Sequence, residues 1–311
     1  MQFTLFSELF SKIDTLTTSF VTDVSSNAIT AIWPIASAGL TLSFVVYGLL
    51  IIQGVIDMPL LDFVSKSVKI AVVLSIAMAG GIYQTDIAEM IQKTPDALAT
   101  SLLSNHEQKT SAEVIDAAAD MGFNAAADAF NKSSFFSKVG LTYAVFGVFF
   151  IITTAIVTAI GAIFIVLAKV ALALLAALGP LFIVALLFKS TARLFEAWLS
   201  QVLGYGLLVV LLAAVFGFML HLFTGYVDAI HLDGNVEVAK ALGGCVILSL
   251  ATAVLIWRLP QMAASLSQGV AIELSEGVRN TRAIGKGVAN GAGSAARALK
   301  NYTTRKLGHR D

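Results

Sequence analysis

Side chains able to ligate a metal, relay a proton or attack a substrate are few in this sequence, and they do not cluster. The four histidines, His106, His221, His231 and His309, stand far apart. No HExxH or His/Cys grouping places two ligands on one helical face, so no metal site is expected. Cys245 is the single cysteine. It excludes a disulfide within one chain and any CxxC site, and it reads as a small buried hydrophobe. The stretch "GKGVANGAG", residues 285–293, invites comparison with phosphate-binding glycine loops, but it lacks the GxxxxGK[ST] spacing and no apolar strand leads into it. The chain is expected to be no enzyme and to hold no cofactor. One charge stands apart: Lys169, inside "LAKVALALLAALGPLFIVALLFKS" (167–190). Ion-coupled transporters use charges in such positions. A lysine near an inner membrane boundary also snorkels, with its stem in lipid and its ammonium in water, and that is the expectation for Lys169.

The elements that would position these residues are membrane helices. The chain is 57% hydrophobic and 13% charged, with a mean hydropathy of +0.84. Several runs approach or exceed the ~20 apolar residues that a helix needs to cross a bilayer. Barrel strands alternate in polarity at every second residue and these runs do not. The fold class is an all-α polytopic membrane protein. No basic n-region and no small-residue cleavage pattern precede the first long run, so no removable signal peptide is expected.

Apolar runs place crossings near 30–56, 64–83, 139–168, 198–223 and 241–257, five in all. Their orientation follows from charge, because basic residues are retained on the cytoplasmic side. The tail 258–311 holds nine basic residues against three acidic ones and reads as cytoplasmic. The loop 84–138 holds four lysines against eight acids and reads as periplasmic. The stretch between them must then cross an odd number of times. One helix over 138–189 would be about 75 Å long, more than twice the hydrocarbon thickness. The expectation is one crossing, followed by a re-entrant or inner-face helical segment over 170–188 that breaks at Gly179-Pro180. Pro180 removes a backbone donor, and the carbonyls it frees need protein or water rather than lipid. A sixth span is the rival. The chain thus divides into 1–27, 28–83, 84–138, 139–257 and 258–311, with the N-terminus periplasmic and the C-terminus in the cytoplasm.

Phe3, Phe6, Phe10, Ile13, Leu16 and Phe20 recur at spacings of three and four, which predicts an amphipathic N-terminal helix over 1–27. It would float in the outer interface or pack on a neighbouring subunit. In the 84–138 loop, Val114, Ile115, Ala118, Met121, Ala125 and Ala129 share one helical face. That face suits an extracytoplasmic partner, or is merely part of a solvated helix. The Gly/Ala-rich basic tail suits anionic lipid, an acidic protein or nucleic acid, or serves retention alone.

One region carries a more specific pattern. "ALGPLFIVALLFKSTARLFEAWLSQVLGYGLLVVLLA", residues 177–213, resembles the central signature of the TrbL/VirB-type polytopic inner-membrane subunit of type IV secretion (conjugation) systems. In that family an apolar segment ends in Gly-Pro and runs to a short basic turn. An aromatic-x-x-Trp-Leu element then opens a long span. The matching positions are Gly179 and Pro180, Lys189 to Arg193, and Phe195, Trp198 and Leu199. "LPQMAASLSQGVA", 259–271, is a further likeness. Trp198 corresponds to the family's tryptophan linked to assembly, although a Trp at the start of a span is also a common interfacial anchor.

The resemblance implies a non-enzymatic channel and scaffold subunit in the bacterial inner membrane. Such a subunit assists passage of DNA or protein and supports pilus and stalk assembly. Its implied partners are pilin or pilus-base and envelope-spanning components outside, separate secretion ATPases inside, membrane lipid, and transiently the DNA or protein in transit. Five poorly charged spans make a poor solitary pore, so copies of the chain in a ring-like homo-oligomer are expected. Gly204, Gly206, Gly217, Gly243 and Gly244 would permit close helix contact. The alternatives are a stand-alone small-solute transporter or channel, and a membrane anchor for another complex.

Overall fold

A computed structural model describes residues 3–55, 59–78, 82–103, 110–133, 138–188, 190–228 and 243–268. Among these the regular elements are all helical. In chain order they are α1 (Leu5–Ile52), α2 (Pro59–Met78), α3 (Ala88–Leu103), which a π-helical turn Tyr83–Ile87 precedes, α4 (Ser111–Asn131), α5 (Lys138–Val184), α6 (Ala192–Asp228) and α7 (Gly243–Gln268). The chain is an all-α polytopic membrane protein. Four of its described helices are long and apolar enough to cross a bilayer: α1, α5 with its terminal turn, α6 and α7.

The second of the five predicted crossings, 64–83, falls on α2 and on the π-turn that follows. Its apolar character is diluted, because α2 carries Asp62, Lys66 and Lys69 within 20 residues. Lys66 sits over the Tyr47 ring of α1, 3.8 Å from its centroid, and Lys69 donates to the Leu186 carbonyl at the end of α5. Residues 79–81 lie outside the described residues, as do the glycine-rich stretch 285–293, the basic tail beyond 268, and His106, His231 and His309.

The bundle is organised around α5. Its 47 residues form one helix about 70 Å long. α1 runs parallel to it: Phe6 and Phe10 lie in the same core cluster as Ile165, Asp14 meets Lys169, and Gly39 meets the Phe188 ring beyond the end of α5. α4 and α6 run antiparallel to it. Gly122 of α4 lies so close to Thr154 that a Cβ would overlap that side chain, and Phe216 of α6 lies over Gly161.

Two expectations are corrected here. The segment 170–188 is neither re-entrant nor broken at Gly179-Pro180. It is the second half of α5, which continues through Gly179-Pro180 to Val184, tightens into a 3₁₀ turn at Ala185–Leu187 and ends where Phe188 becomes extended (φ −111, ψ 136). The N-terminal amphipathic helix is not separate either. It is the first half of α1, a helix of 48 residues. No residue between 27 and 30 breaks it, and its hydroxyls are satisfied along the helix: Thr22 donates to the Thr18 carbonyl and Thr30 to that of Ser26.

The apolar face of this first half packs inside the chain. Phe6 and Phe10 are buried against Val114 and Ile115 of α4 and Ile165 of α5, whereas Leu16 and Phe20 stay exposed. α4 also caps α1. The first amides of a helix have no partners of their own, and Thr4 makes no side-chain cap. The buried Asp116 carboxylate accepts from the Phe6 and Ser7 amides at 3.0 and 2.8 Å, and Asp120 accepts from Phe3 at 2.9 Å. A carboxylate there also meets the positive end of the helix dipole.

α4 is a true helix with a capping box at Thr110 and Glu113. Its buried stripe is Ala112, Ile115, Ala119, Gly122, Ala126 and Ala129, rotated slightly from the face read in the sequence. That stripe is occupied by α1, α5 and α6 of the same chain.

Candidate functional site

Proline at position 180 deprives the carbonyl four residues earlier, that of Ala176, of its helical donor. The structure supplies a substitute. The hydroxyl of Tyr83, from the π-helical turn before α3, donates to Ala176 O at 2.5 Å. One residue earlier, Leu175 O accepts the indole N–H of Trp198 at 2.9 Å. Two aromatic donors from different parts of the chain therefore close on the carbonyls just ahead of Pro180. Gly179 makes the approach possible, since a Cβ there would overlap the Tyr83 hydroxyl and ring. Because the carbonyl is satisfied by protein, the helix has no need to break, which is the physical reason for the continuous α5.

Tyr83 and Trp198 are buried, 2% and 5% exposed. Trp198 is thus enclosed by the protein's own side chains. Its indole stacks on Phe182 (centroids 6.1 Å apart, planes at 15°) and is tilted against Phe195 at 5.5 Å. Leu172, Val202 and Leu199 complete its pocket. Arg193 is exposed at the start of α6, and Lys189 lies outside the described residues. In the turn between α5 and α6, the Thr191 hydroxyl donates to Ala185 O at 2.7 Å.

Two turns before Ala176, on the same side of α5, stands Lys169. It does not snorkel. Its side chain is 8% exposed and its ammonium contacts Asp14 of α1 at 2.9 Å and Asp96 of α3 at 2.6 Å. Asp96 also accepts from the Ser111 hydroxyl of α4, so four helices meet at one charge cluster. The sequence reading placed Asp14 and Asp96 on one side of the membrane and Lys169 on the other; the structure brings them into contact. The reason lies in α5, whose continuity carries Lys169 past α1 and α3 at the level of Asp14 and Asp96. A polar cleft of about 410 Å³ opens beside the cluster, lined by Ser7, Ser11, Asp14, Asp96, Thr110 and Lys169.

These residues fasten helices together; no nucleophile and base are paired among them. Tyr83, Asp14 and Asp96 were not singled out from sequence. The signal for a donor to Ala176 was present in Pro180, but which aromatic residue provides it depends on the tertiary fold. A buried lysine likewise demands acidic partners, and those partners stood on segments assigned to the opposite face.

The segment carrying these contacts is also where the chain matches known proteins. The model of a family described as TrbL/VirB6 plasmid conjugal transfer protein matches residues 40–259. The chain belongs to this TrbL/VirB6 family. The match takes in Tyr83, Asp96, Lys169, Gly179, Pro180 and Trp198, and leaves out Asp14 and all of α1 before residue 40. Membership makes the protein a component of a type IV secretion, or conjugal transfer, system. With four long apolar helices it is a multi-pass membrane protein. No curated protein matches the sequence.

Two outcomes follow. Tyr83→Phe leaves the Ala176 carbonyl without its donor and should cost about 1–3 kcal/mol. In a Pro180→Ala background, where a backbone N–H returns, the same change should cost much less. Thermal or denaturant unfolding in detergent measures this cycle, and equal costs in both backgrounds would contradict the assignment. At the charge cluster, Asp96→Asn should cost about 1.5–3 kcal/mol, as for a hydrogen bond to a charged group. Asp14, half-exposed and screened, should cost under about 1 kcal/mol when changed to Asn. The same unfolding assay ranks them.

Proposed function

We propose that this TrbL/VirB6 protein is an inner-membrane channel and scaffold subunit that works as a homo-oligomer, assisting translocation of DNA or protein and assembly of the pilus and its stalk. The observation that carries this reading is the family match, which spans most of a bundle of long apolar helices. In this reading the N-terminus is periplasmic and the tail cytoplasmic. Pilus-base, pilin and envelope-spanning components are met outside, secretion ATPases inside.

The architecture favours such a role over solitary work. α5 exposes apolar side chains along most of its length, from Leu141 and Val145 through Ile163 and Leu167 to Leu178 and Leu181. That stripe is about 60 Å long, roughly twice what one bilayer covers. Protein must shield the remainder, and other copies or partner subunits supply it. Continuous helices α1 and α5, fastened at Lys169 and at the Gly179-Pro180 collar, give the stiffness that a scaffold needs.

A stand-alone transporter is the second reading, and the buried Lys169 with its two carboxylates is the observation that favours it, since ion-coupled transport uses such groups. Mild-detergent purification of a tagged chain from cells carrying its neighbouring genes, followed by sizing and mass spectrometry, separates the two. The proposal expects a large particle containing several copies together with ATPase, pilin-like and envelope-spanning proteins. A monomer without them, active in solute flux when reconstituted alone in liposomes, would overturn it.

A further inference from the structure

Helices α4, α5, α6 and α7 do not close on one another completely. They leave a half-enclosed cavity of about 90 Å³, about three times the ~30 Å³ that one water occupies in the liquid. Its walls are apolar and soft: Phe150 of α5 and Phe216 and Phe223 of α6, with the thioethers of Met121 and Met219 between them. Methionine side chains yield readily to the shape of whatever they touch.

Set into these walls are hydroxyl groups from two helices, and their hydrogen bonds differ. Thr153 and Thr158 of α5 and Thr252 of α7 donate to carbonyls of their own helices, those of Phe149, Thr154 and Leu248, at 2.5, 2.7 and 2.7 Å. Their protons are committed to the backbone, so only oxygen lone pairs remain for the cavity. Thr154 of α5 and Ser249 of α7 also line it, and among the described residues neither side chain has a hydrogen-bond partner. Both are half-buried. Gly122 of α4 makes room for Thr154, since a Cβ there would overlap that side chain.

The lining therefore offers two uncommitted hydroxyls beside lone pairs whose own protons are taken. A hydrocarbon would leave these groups unpaired, which is costly once water is displaced. An ion of either sign would meet no countercharge, because the lining holds no charged residue. A carbonyl could accept from Thr154 and Ser249 but would give nothing to the oxygens of Thr158 and Thr252. A hydroxyl both donates and accepts.

We infer that this cavity binds the hydroxyl end of a small amphiphile, an alcohol or phenol, whose apolar body lies against Phe150, Phe216 and Phe223 and leaves through the open mouth. Held between Thr154 and Ser249, the ligand ties α7 to α5. The site is independent of the proposed channel role and of the number of copies in the assembly.

Two probes of equal outline, 4-fluorophenol and 4-fluorotoluene, differ in the hydroxyl alone. Each is titrated by fluorine NMR against the purified full-length chain in detergent, and against Thr154→Val, Ser249→Ala and the double variant. These changes remove hydroxyls that no described residue uses, so the bundle should unfold at nearly the same temperature. Detergent takes up both probes to the same extent in every sample, and that uptake cancels when the ratio of the two dissociation constants is compared between proteins. The parent chain should bind 4-fluorophenol saturably. Either single variant should shift the ratio against the phenol by about fivefold, the size of one hydrogen bond, and the double variant should shift it further. Binding of the phenol alone, lost in the double variant, supports the site equally. A ratio unchanged in the double variant would overturn it. So would the absence of saturable phenol binding, which would leave the cavity to water.

Discussion

One unsatisfied carbonyl governs much of this fold. Pro180 strips Ala176 of its helical hydrogen bond in the middle of a long apolar helix, where water is scarce and an orphan acceptor is costly. Tyr83 reaches that carbonyl and Trp198 the one before it. Each donor comes from a different part of the chain, so satisfying the backbone of α5 simultaneously docks the turn before α3 and the first part of α6. Gly179 clears the space that this requires. A sequence feature that usually ends a helix here becomes the point at which other helices are tied to it.

The charge cluster two turns away follows the same logic with ionic partners. Lys169 is stable at 8% exposure because two carboxylates meet it, and those carboxylates sit on α1 and α3. α1 is additionally held at its start by Asp116 and Asp120 of α4. The polar groups inside the bundle are thus joints between helices, and the apolar surfaces between the joints, such as the cluster around Ile165 and Leu212, complete the packing. Such an arrangement is suited to holding a shape within a conjugal transfer machine.

Composition and run length made the class and the helical content legible without coordinates, and the residues around Gly179, Pro180 and Trp198 carried the family. Helix continuity was not legible. Bilayer thickness argues against a single helix over 138–188, and that argument assumes every apolar residue needs lipid; one side of α5 is instead packed against other helices of the chain, from Phe146 to Val184. The amphipathic start of α1 was read from Phe3, Phe6 and Phe10, but a hydrophobic face does not name what it packs against, and the answer was α4 of the same chain. Lys169 was noticed, yet its partners were hidden because charge counts over loops assign whole segments to a side and ignore where individual acids point. Tyr83 had no signal beyond the general demand for a donor near Pro180.

The central claim is that α5 runs unbroken through Gly179-Pro180. Pulsed electron spin resonance between labels at two exposed positions, Val148 and Leu181, in a Cys245→Ala chain measures it directly. A continuous helix separates these positions by about 50 Å, and the account predicts a single distance distribution near that value. A distribution centred below about 35 Å, as a segment that dips and returns would give, would contradict it.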